Sequence, residues 1–226
     1  MTEEQILKKI HDLYSLNLDL NSFKQAINDL QNNQNEYIKK AFMLASLRLI
    51  EAERFKTQEP VLANLLCYIA VETLSNNLAY FNKTGGIRHS DFKINYKIEA
   101  KINKTQEFQN FLLKYSDPIL QKQVKFEKQI NNSSIQAPFN DVLRYLYLRN
   151  RCVIVHKGIF RTVEGNCSLT DVFIDEKGVK STITIEIPGG NLTQWFYELV
   201  KDSFMNFLNQ NTKTPNNSIH WTQPRP

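Results

Sequence analysis

The sequence predicts a mainly α-helical protein: a helical bundle with an N-terminal helical extension and a small β-hairpin before the last helix. Over most of the chain, apolar residues recur every three or four positions, which is the period of an amphipathic helix. The chain has only seven glycines and seven prolines, fewer than a protein of many short strands would need. An alternating, β-branched pattern typical of strands is found only between positions 168 and 187.

The first part of the chain predicts four helices, at 3–14, 19–31, 36–56 and 60–81. Asn17 or Asp19 could cap the second helix, because a short polar side chain can accept hydrogen bonds from free N–H groups of the first turn. Pro60 suits the start of the fourth helix, where its missing N–H costs nothing. That fourth helix is apolar on most faces, which predicts a central, buried element ending at Thr84-Gly85-Gly86.

The middle of the chain is more polar and more basic. Residues 83–128 contain ten Lys or Arg against five Asp or Glu, and Asn131-Asn132-Ser133-Ser134 is expected to be a flexible loop. A helix is predicted next at 137–157, with Gly158 as a plausible stop.

The C-terminal part predicts the hairpin and the last helix. The two strands are expected at 168–174 and 181–187, and Asn191 could cap a helix at 192–209. We therefore divide the chain into three parts: an extension that packs on the bundle (1–58), the helical domain (59–210) and a loose tail (211–226).

Composition limits the classes of function. A net charge of +5 and a pI of about 9.0 permit a polyanionic partner without requiring one. The cysteines, Cys67, Cys152 and Cys167, lack metal-ligand spacing, and their odd number argues against a disulfide framework. The sequence thus predicts no metal, no cofactor and a reducing cytoplasm. The polar N-terminus is unlike a signal peptide, and the apolar run at 61–71 is too short to span a bilayer.

The segment Arg149-Asn150-Arg151-Cys152-Val153-Ile154-Val155-His156 carries the most chemical information. An imidazole can move a proton near pH 7, and a guanidinium can hold a phosphate by two parallel hydrogen bonds. In RNA the neighbouring 2′-hydroxyl can act as the nucleophile. This grouping could therefore cleave RNA without a metal.

The spacing on an ideal α-helix favours Arg149 over Arg151 as the partner of His156. Seven residues at about 100° each bring position 156 to within roughly 20° of position 149, whereas Arg151 would diverge by roughly 140°. The alternative is that both arginines are surface charges and His156 is a last-turn histidine favoured by the helix dipole. Residues 144–161 nevertheless contain no acid, and their basic residues are candidates to bind RNA: Arg144, Arg151, Lys157 and Arg161.

Glu72 lies in the middle of the apolar fourth helix. A buried carboxylate must be paired, and Arg149 or Arg151 would be a natural partner. A carboxylate on a partly exposed stripe is an equally good interpretation.

One pattern in the predicted helix resembles the motif of the HEPN superfamily. It consists of an arginine followed by a polar residue, and of a histidine that four to six residues separate from the arginine and that follows two apolar residues at the end of the helix. The match is Arg149-Asn150 to His156, with Arg151 to His156 as a second possibility, and the helix at 62–74 resembles the family's early helix with Glu72 as its inward acid. The likeness covers about residues 40–210 and is closest to the larger, ApeA-like members.

This resemblance implies a helical bundle that dimerises to bring two Arg/His motifs together. It implies a metal-independent endoribonuclease of a defence or toxin–antitoxin system, in which Arg149 and His156 act on the RNA while Asn150 and Glu72 orient them. Some members of the family are inactive and only bind RNA or a partner protein. The long segment before the motif helix and the hairpin after it depart from a minimal bundle, which leaves substrate and partner open.

Overall fold

The computed structural model describes residues 2–14, 19–33, 36–84, 101–130, 133–152, 168–174 and 180–212. Its α-helices are α1 (Glu3–Tyr14), α2 (Leu20–Asn33), α3 (Glu36–Phe55), α4 (Pro60–Thr84), α5 (Lys104–Tyr115), α6 (Pro118–Gln123), α7 (Phe139–Tyr145) and α8 (Leu192–Asn211). A π-helix, Leu146–Arg151, continues α7 directly. The strands are β1 (Lys125–Ile130), β2 (Ser133–Gln136), β3 (Ser168–Ile174) and β4 (Lys180–Glu186). The predicted mainly helical fold is confirmed.

Short polar side chains mark where several helices begin. Asp19 caps α2, since its Oδ1 accepts hydrogen bonds from the backbone N–H groups of Asn21 and Ser22 at 2.8 and 3.0 Å. Asn191 caps α8 through the N–H of Gln194 at 2.9 Å. Both caps satisfy donors that the helix itself leaves free, and both agree with the sequence-based expectation.

Helix α4 is the central element, as its apolar composition predicted. It packs along α3 and also contacts α5, α8 and the π-helix. Tyr68, at the middle of α4, is 1% exposed, and its ring lies 4.6 Å from that of Phe196 and 5.7 Å from that of Phe108. Aromatic packing therefore connects α4 with α5 and α8 in one core, which also includes buried residues of α1, α2 and α3.

The sheet is larger than the predicted hairpin. Strands β3 and β4 pair as expected, but β4 also pairs with β1, and β1 pairs with β2, giving the antiparallel order β2-β1-β4-β3. Ser133 and Ser134 belong to β2, so the prediction of a loop at these two residues was wrong. The buried pair Phe126 and Ile185 fixes the register of β1 against β4 and anchors the sheet on the helices.

The helix predicted at 137–157 is regular only over α7. From Leu146 to Arg151 the chain forms a π-helix, in which the N–H of Cys152 bonds to the carbonyl of Tyr147, five residues earlier. A wider turn rotates each residue by less than 100°. The ideal-helix argument that preferred Arg149 to Arg151 as the partner of His156 therefore does not hold. His156 and Gly158 lie outside the described residues.

We expect Phe42→Ala to destabilise the fold severely. Phe42 is fully buried in α3, and its ring lies 6.4 Å from Tyr14, 6.0 Å from Phe204 and 6.1 Å from Phe207, so it connects α1, α3 and α8. Truncating a buried Phe costs about 3–5 kcal/mol of unfolding free energy. The matched control on the same helix is Leu44→Ala, whose side chain is 48% exposed and whose loss should cost less than about 1 kcal/mol. Equal losses in urea denaturation would contradict this packing.

Asp202 should make stability depend on pH. Its Oδ2 accepts hydrogen bonds from the N–H of Asp117 at 2.7 Å and from Nδ2 of Asn206 at 3.1 Å, yet burial raises the pKa of Asp202 to about 6. Since the ordinary value is 3.8, the folded state holds this proton more tightly than the unfolded state does. The stability that the protonated form contributes is complete below pH 4 and is lost as the pH rises through about 6.

Asp202→Asn removes this titration. Between pH 4 and pH 7 the unfolding free energy of the wild type should fall by about 1–2 kcal/mol relative to that of the variant. This is less than the full shift of the Asp202 pKa implies, because water reaches part of the side chain. Chemical denaturation of both proteins across this range measures the difference. A difference that stays constant with pH would show that Asp202 titrates normally.

Candidate functional site

Glu72 and Arg151 form a two-point ion pair between α4 and the end of the π-helix. Nε of Arg151 donates to Oε1 of Glu72 at 2.6 Å, and Nη2 donates to Oε2 at 2.9 Å. The side chain of Glu72 is only 14% exposed, and that of Arg151 is 19% exposed. The carboxylate in the apolar helix is therefore paired, and of the two arginines considered from the sequence its partner is Arg151.

Tyr147 supports the arginine from within the same segment. The guanidinium carbon of Arg151 lies 5.4 Å from the centroid of the Tyr147 ring, a cation–π distance. Tyr147 is 4% exposed, and its ring is held 5.0 Å from that of Phe108 on α5. The guanidinium is thus fixed by a carboxylate and by an aromatic ring that is itself packed in the core.

The guanidinium of Arg151 keeps its positive charge in the pair with Glu72. Burial alone would lower the pKa of Arg151, but hydrogen bonds to Glu72 and the negative charge of that residue outweigh burial and raise it. For Tyr147, burial and the charge of Glu72 raise the pKa of the phenol well above its ordinary value. Arg151 therefore stays charged at every physiological pH, so it can bind an anion but cannot transfer a proton.

The π-helix explains how these side chains come together. Single π turns are rare and often occur at functional sites, because the wider turn redirects side chains without breaking the helix. Here the segment leads directly to Arg151, and Cys152 after it packs partly buried against the core. The segment therefore keeps its attachment to the core while presenting Arg151 to α4.

The structure describes the other predicted site residues to different extents. Arg144 lies exposed in the last turn of α7. Arg149 and Asn150 belong to the π-helix, and only their backbone is described. Three residues lie outside the described part of the chain: His156, Lys157 and Arg161. The structure thus brings Glu72 and Arg151 together and does not test the grouping of Arg149 with His156.

Sequence reasoning missed Tyr147. Nothing in the 3.6-residue period distinguishes it from the apolar residues of the same predicted helix. The only available signal was its position four residues before Arg151, a spacing at which helical side chains meet.

No group of three or more His, Cys, Asp or Glu side chains within the described ranges could hold a metal ion. In the same part of the chain, no helix has the length and apolar character needed to cross a bilayer. The described groups around Arg151 are the carboxylate of Glu72 and the ring of Tyr147.

The fold and this site define a mainly helical protein with a two-point Glu–Arg pair between its central helix and a π-helical segment. Comparison with protein families, with curated proteins and with solved structures finds no match.

A double-mutant cycle should show that the Glu72–Arg151 pair is strongly coupled. Glu72→Gln alone leaves a largely buried guanidinium without its counter-charge and should cost about 2–3 kcal/mol of unfolding free energy. The double variant with Arg151→Gln should lose less unfolding free energy than the sum of the two single variants. The difference, which is the coupling energy, should be about 1–3 kcal/mol.

The matched control is the pair Arg48 and Glu51 on α3, joined at 2.8 Å but 41% and 42% exposed. Its coupling energy should stay below about 0.5 kcal/mol, because water screens an exposed pair. Equal coupling in the two cycles, measured by urea denaturation, would mean that the burial of Glu72 and Arg151 has no energetic effect.

Proposed function

We propose that this chain is a metal-independent endoribonuclease of a prokaryotic defence or toxin–antitoxin type system. The observation that carries the proposal is the Glu72–Arg151 pair. It fixes a permanently charged, partly exposed guanidinium within the segment whose sequence resembles the HEPN motif. A preorganised guanidinium of this kind suits the charge that develops on a phosphodiester during cleavage.

The proposed reaction needs no group beyond side chains and the RNA itself. His156 acts as general base on the 2′-hydroxyl or as acid toward the leaving 5′-oxygen. The 2′-oxygen attacks the phosphorus, and the P–O5′ bond breaks. The products are a 2′,3′-cyclic phosphate and a 5′-hydroxyl. Arg149 and Arg151 hold and polarise the phosphate, while Asn150 and Glu72 orient the reacting side chains.

The charge distribution supports an RNA substrate. Arg144 is exposed five residues before Arg149, and Lys157 and Arg161 follow the histidine with no acid in between. On the helices and strand that precede this segment, four more lysines are exposed: Lys104, Lys114, Lys122 and Lys125. Such cations add affinity for the backbone that weakens steeply with salt.

We also propose that two copies act together and that a further protein of the system restrains or triggers them. A second copy would supply a second Arg/His set, as the resemblance implies. This part of the proposal concerns assembly and does not alter the roles of the side chains above.

One observation favours a different function, that of a non-catalytic RNA- or protein-binding module. Leu148 and Ile69 lie three residues before Arg151 and Glu72, respectively, and are 41% and 37% exposed. Exposed apolar side chains close to a charged pair fit the face of a protein partner. Such a module would bind through this surface and leave RNA intact.

Purified protein should cleave total RNA in the presence of EDTA and leave 2′,3′-cyclic phosphate ends. His156→Ala should slow cleavage by at least about 100-fold, because it removes the proton-transfer group. Phosphatase should remove the terminal phosphate only after acid has opened the cyclic ester, and this identifies the ends. His11→Ala, which removes a histidine on α1, should cleave like the wild type.

Each alternative gives a different result in this assay. Cleavage by His156→Ala at the wild-type rate would remove the proposed mechanism. Salt-sensitive RNA binding without cleavage, by a folded wild type with or without metal, would instead support the binding module.

A further inference from the structure

The Glu72–Arg151 pair uses only one edge of the guanidinium. An arginine head group carries five N–H donors. The bonds to Glu72 use the Nε–H and one N–H of Nη2, and no other described residue accepts a hydrogen bond from Arg151. Three N–H groups, two on Nη1 and one on Nη2, therefore have no partner in the described part of the chain.

The unused edge has the geometry of a phosphate-binding fork. Parallel N–H groups on one guanidinium edge match two oxygens of a phosphate, which is why arginine is so common at such sites. With 19% of its side chain exposed, Arg151 is neither sealed in the core nor free to rotate in water. An anion that reaches the Nη1–Nη2 edge need not break the bonds to Glu72.

Tyr147 limits the orientation of this fork. The guanidinium carbon of Arg151 lies 5.4 Å from the centroid of the Tyr147 ring, while Glu72 holds one edge of the guanidinium by two hydrogen bonds. A planar group held by a neighbouring ring and by two hydrogen bonds at one edge has lost most of its rotational freedom. The guanidinium is thus already oriented in the folded protein, and binding a phosphate need not first restrict its rotation.

We propose that Glu72 and Tyr147 are positioning residues that present the Nη1–Nη2 edge of Arg151 to a phosphodiester, so that Arg151 rather than Arg149 is the principal phosphate-binding arginine. This inference rests on the proposed function for the identity of its ligand. It differs from the expectation drawn from an ideal α-helix, which the π-helix at Leu146–Arg151 replaces.

The first experiment examines positioning without any RNA. In ¹⁵N-labelled protein, the Nε–H signal of Arg151, assigned by its loss in Arg151→Lys, should be sharp and protected from exchange with water. Tyr147→Leu should speed this exchange by about tenfold or more, whereas Tyr147→Phe keeps the ring and should change it by less than about threefold. Tyr145→Leu is the matched control, since Tyr145 is similarly buried at 6% exposure and its ring packs 6.3 Å from that of Phe126.

The second experiment measures binding with a 2′-O-methyl RNA oligonucleotide, which has no free 2′-hydroxyl and cannot be cleaved. Addition of the oligonucleotide should shift the Arg151 Nε–H signal. Arg151→Lys should raise Kd by about tenfold, because the bidentate geometry is lost, and Tyr147→Leu should approach that value. Arg149→Lys should raise Kd less than Arg151→Lys does, and Tyr145→Leu should change Kd by less than about threefold.

The outcomes separate this inference from the nuclease proposal. Exchange that is equally fast in the Tyr147→Leu and Tyr145→Leu proteins overturns the positioning role, and an Arg151 signal unaffected by the oligonucleotide overturns the phosphate site. Either result can accompany normal RNA cleavage, which would keep the nuclease and assign the phosphate to another residue. Binding at Arg151 by a protein that never cleaves RNA would confirm this inference and reject the nuclease.

Discussion

A carboxylate in the middle of an apolar helix must be neutralised, and the arrangement around α4 follows from this constraint. Buried residues of α4 lie before and after Glu72 in the sequence, and its side chain has little access to water. An isolated ionised carboxylate in such surroundings would cost several kcal/mol, so a cation must be brought to it. Arg151 supplies that cation from a segment distant in sequence. The ion pair thereby ties the central helix to the π-helix that carries the site.

The sequence predicted elements that depend on local physics. The first four helices begin and end within two or three residues of the predicted positions because their apolar periods are regular and because Asp19, Pro60 and Thr84 mark their ends. The β3–β4 hairpin was predicted for the same reason. Strands β1 and β2 were not, because lysine, glutamate and serine hide their alternation. Strand β1 pairs with β4, a contact that no local window contains, and β2 pairs in turn with β1.

The site was predictable only in its chemistry. Composition and spacing identified Glu72 and two arginines, but the ideal helix from which their geometry was predicted is replaced by a π-helix over Leu146–Arg151. A π turn arises when tertiary contacts are better satisfied by one extra residue in the turn, and here those contacts are Glu72 on α4 and Phe108 beside Tyr147. Both are distant in sequence, so neither the widened turn nor the role of Tyr147 could be deduced from residues 137–157 alone.

The pairing of β1 with β4 has a kinetic consequence. It closes a long loop of chain that contains α7, the π-helix and β3, whereas α3 and α4 are neighbours in sequence. Contacts between distant segments form late, because the entropy of closing a loop must be overcome first. We expect the α3–α4 hairpin to assemble early and the β1–β4 pair to form late. A nascent chain would then complete the sheet only after β4 has been synthesised and paired.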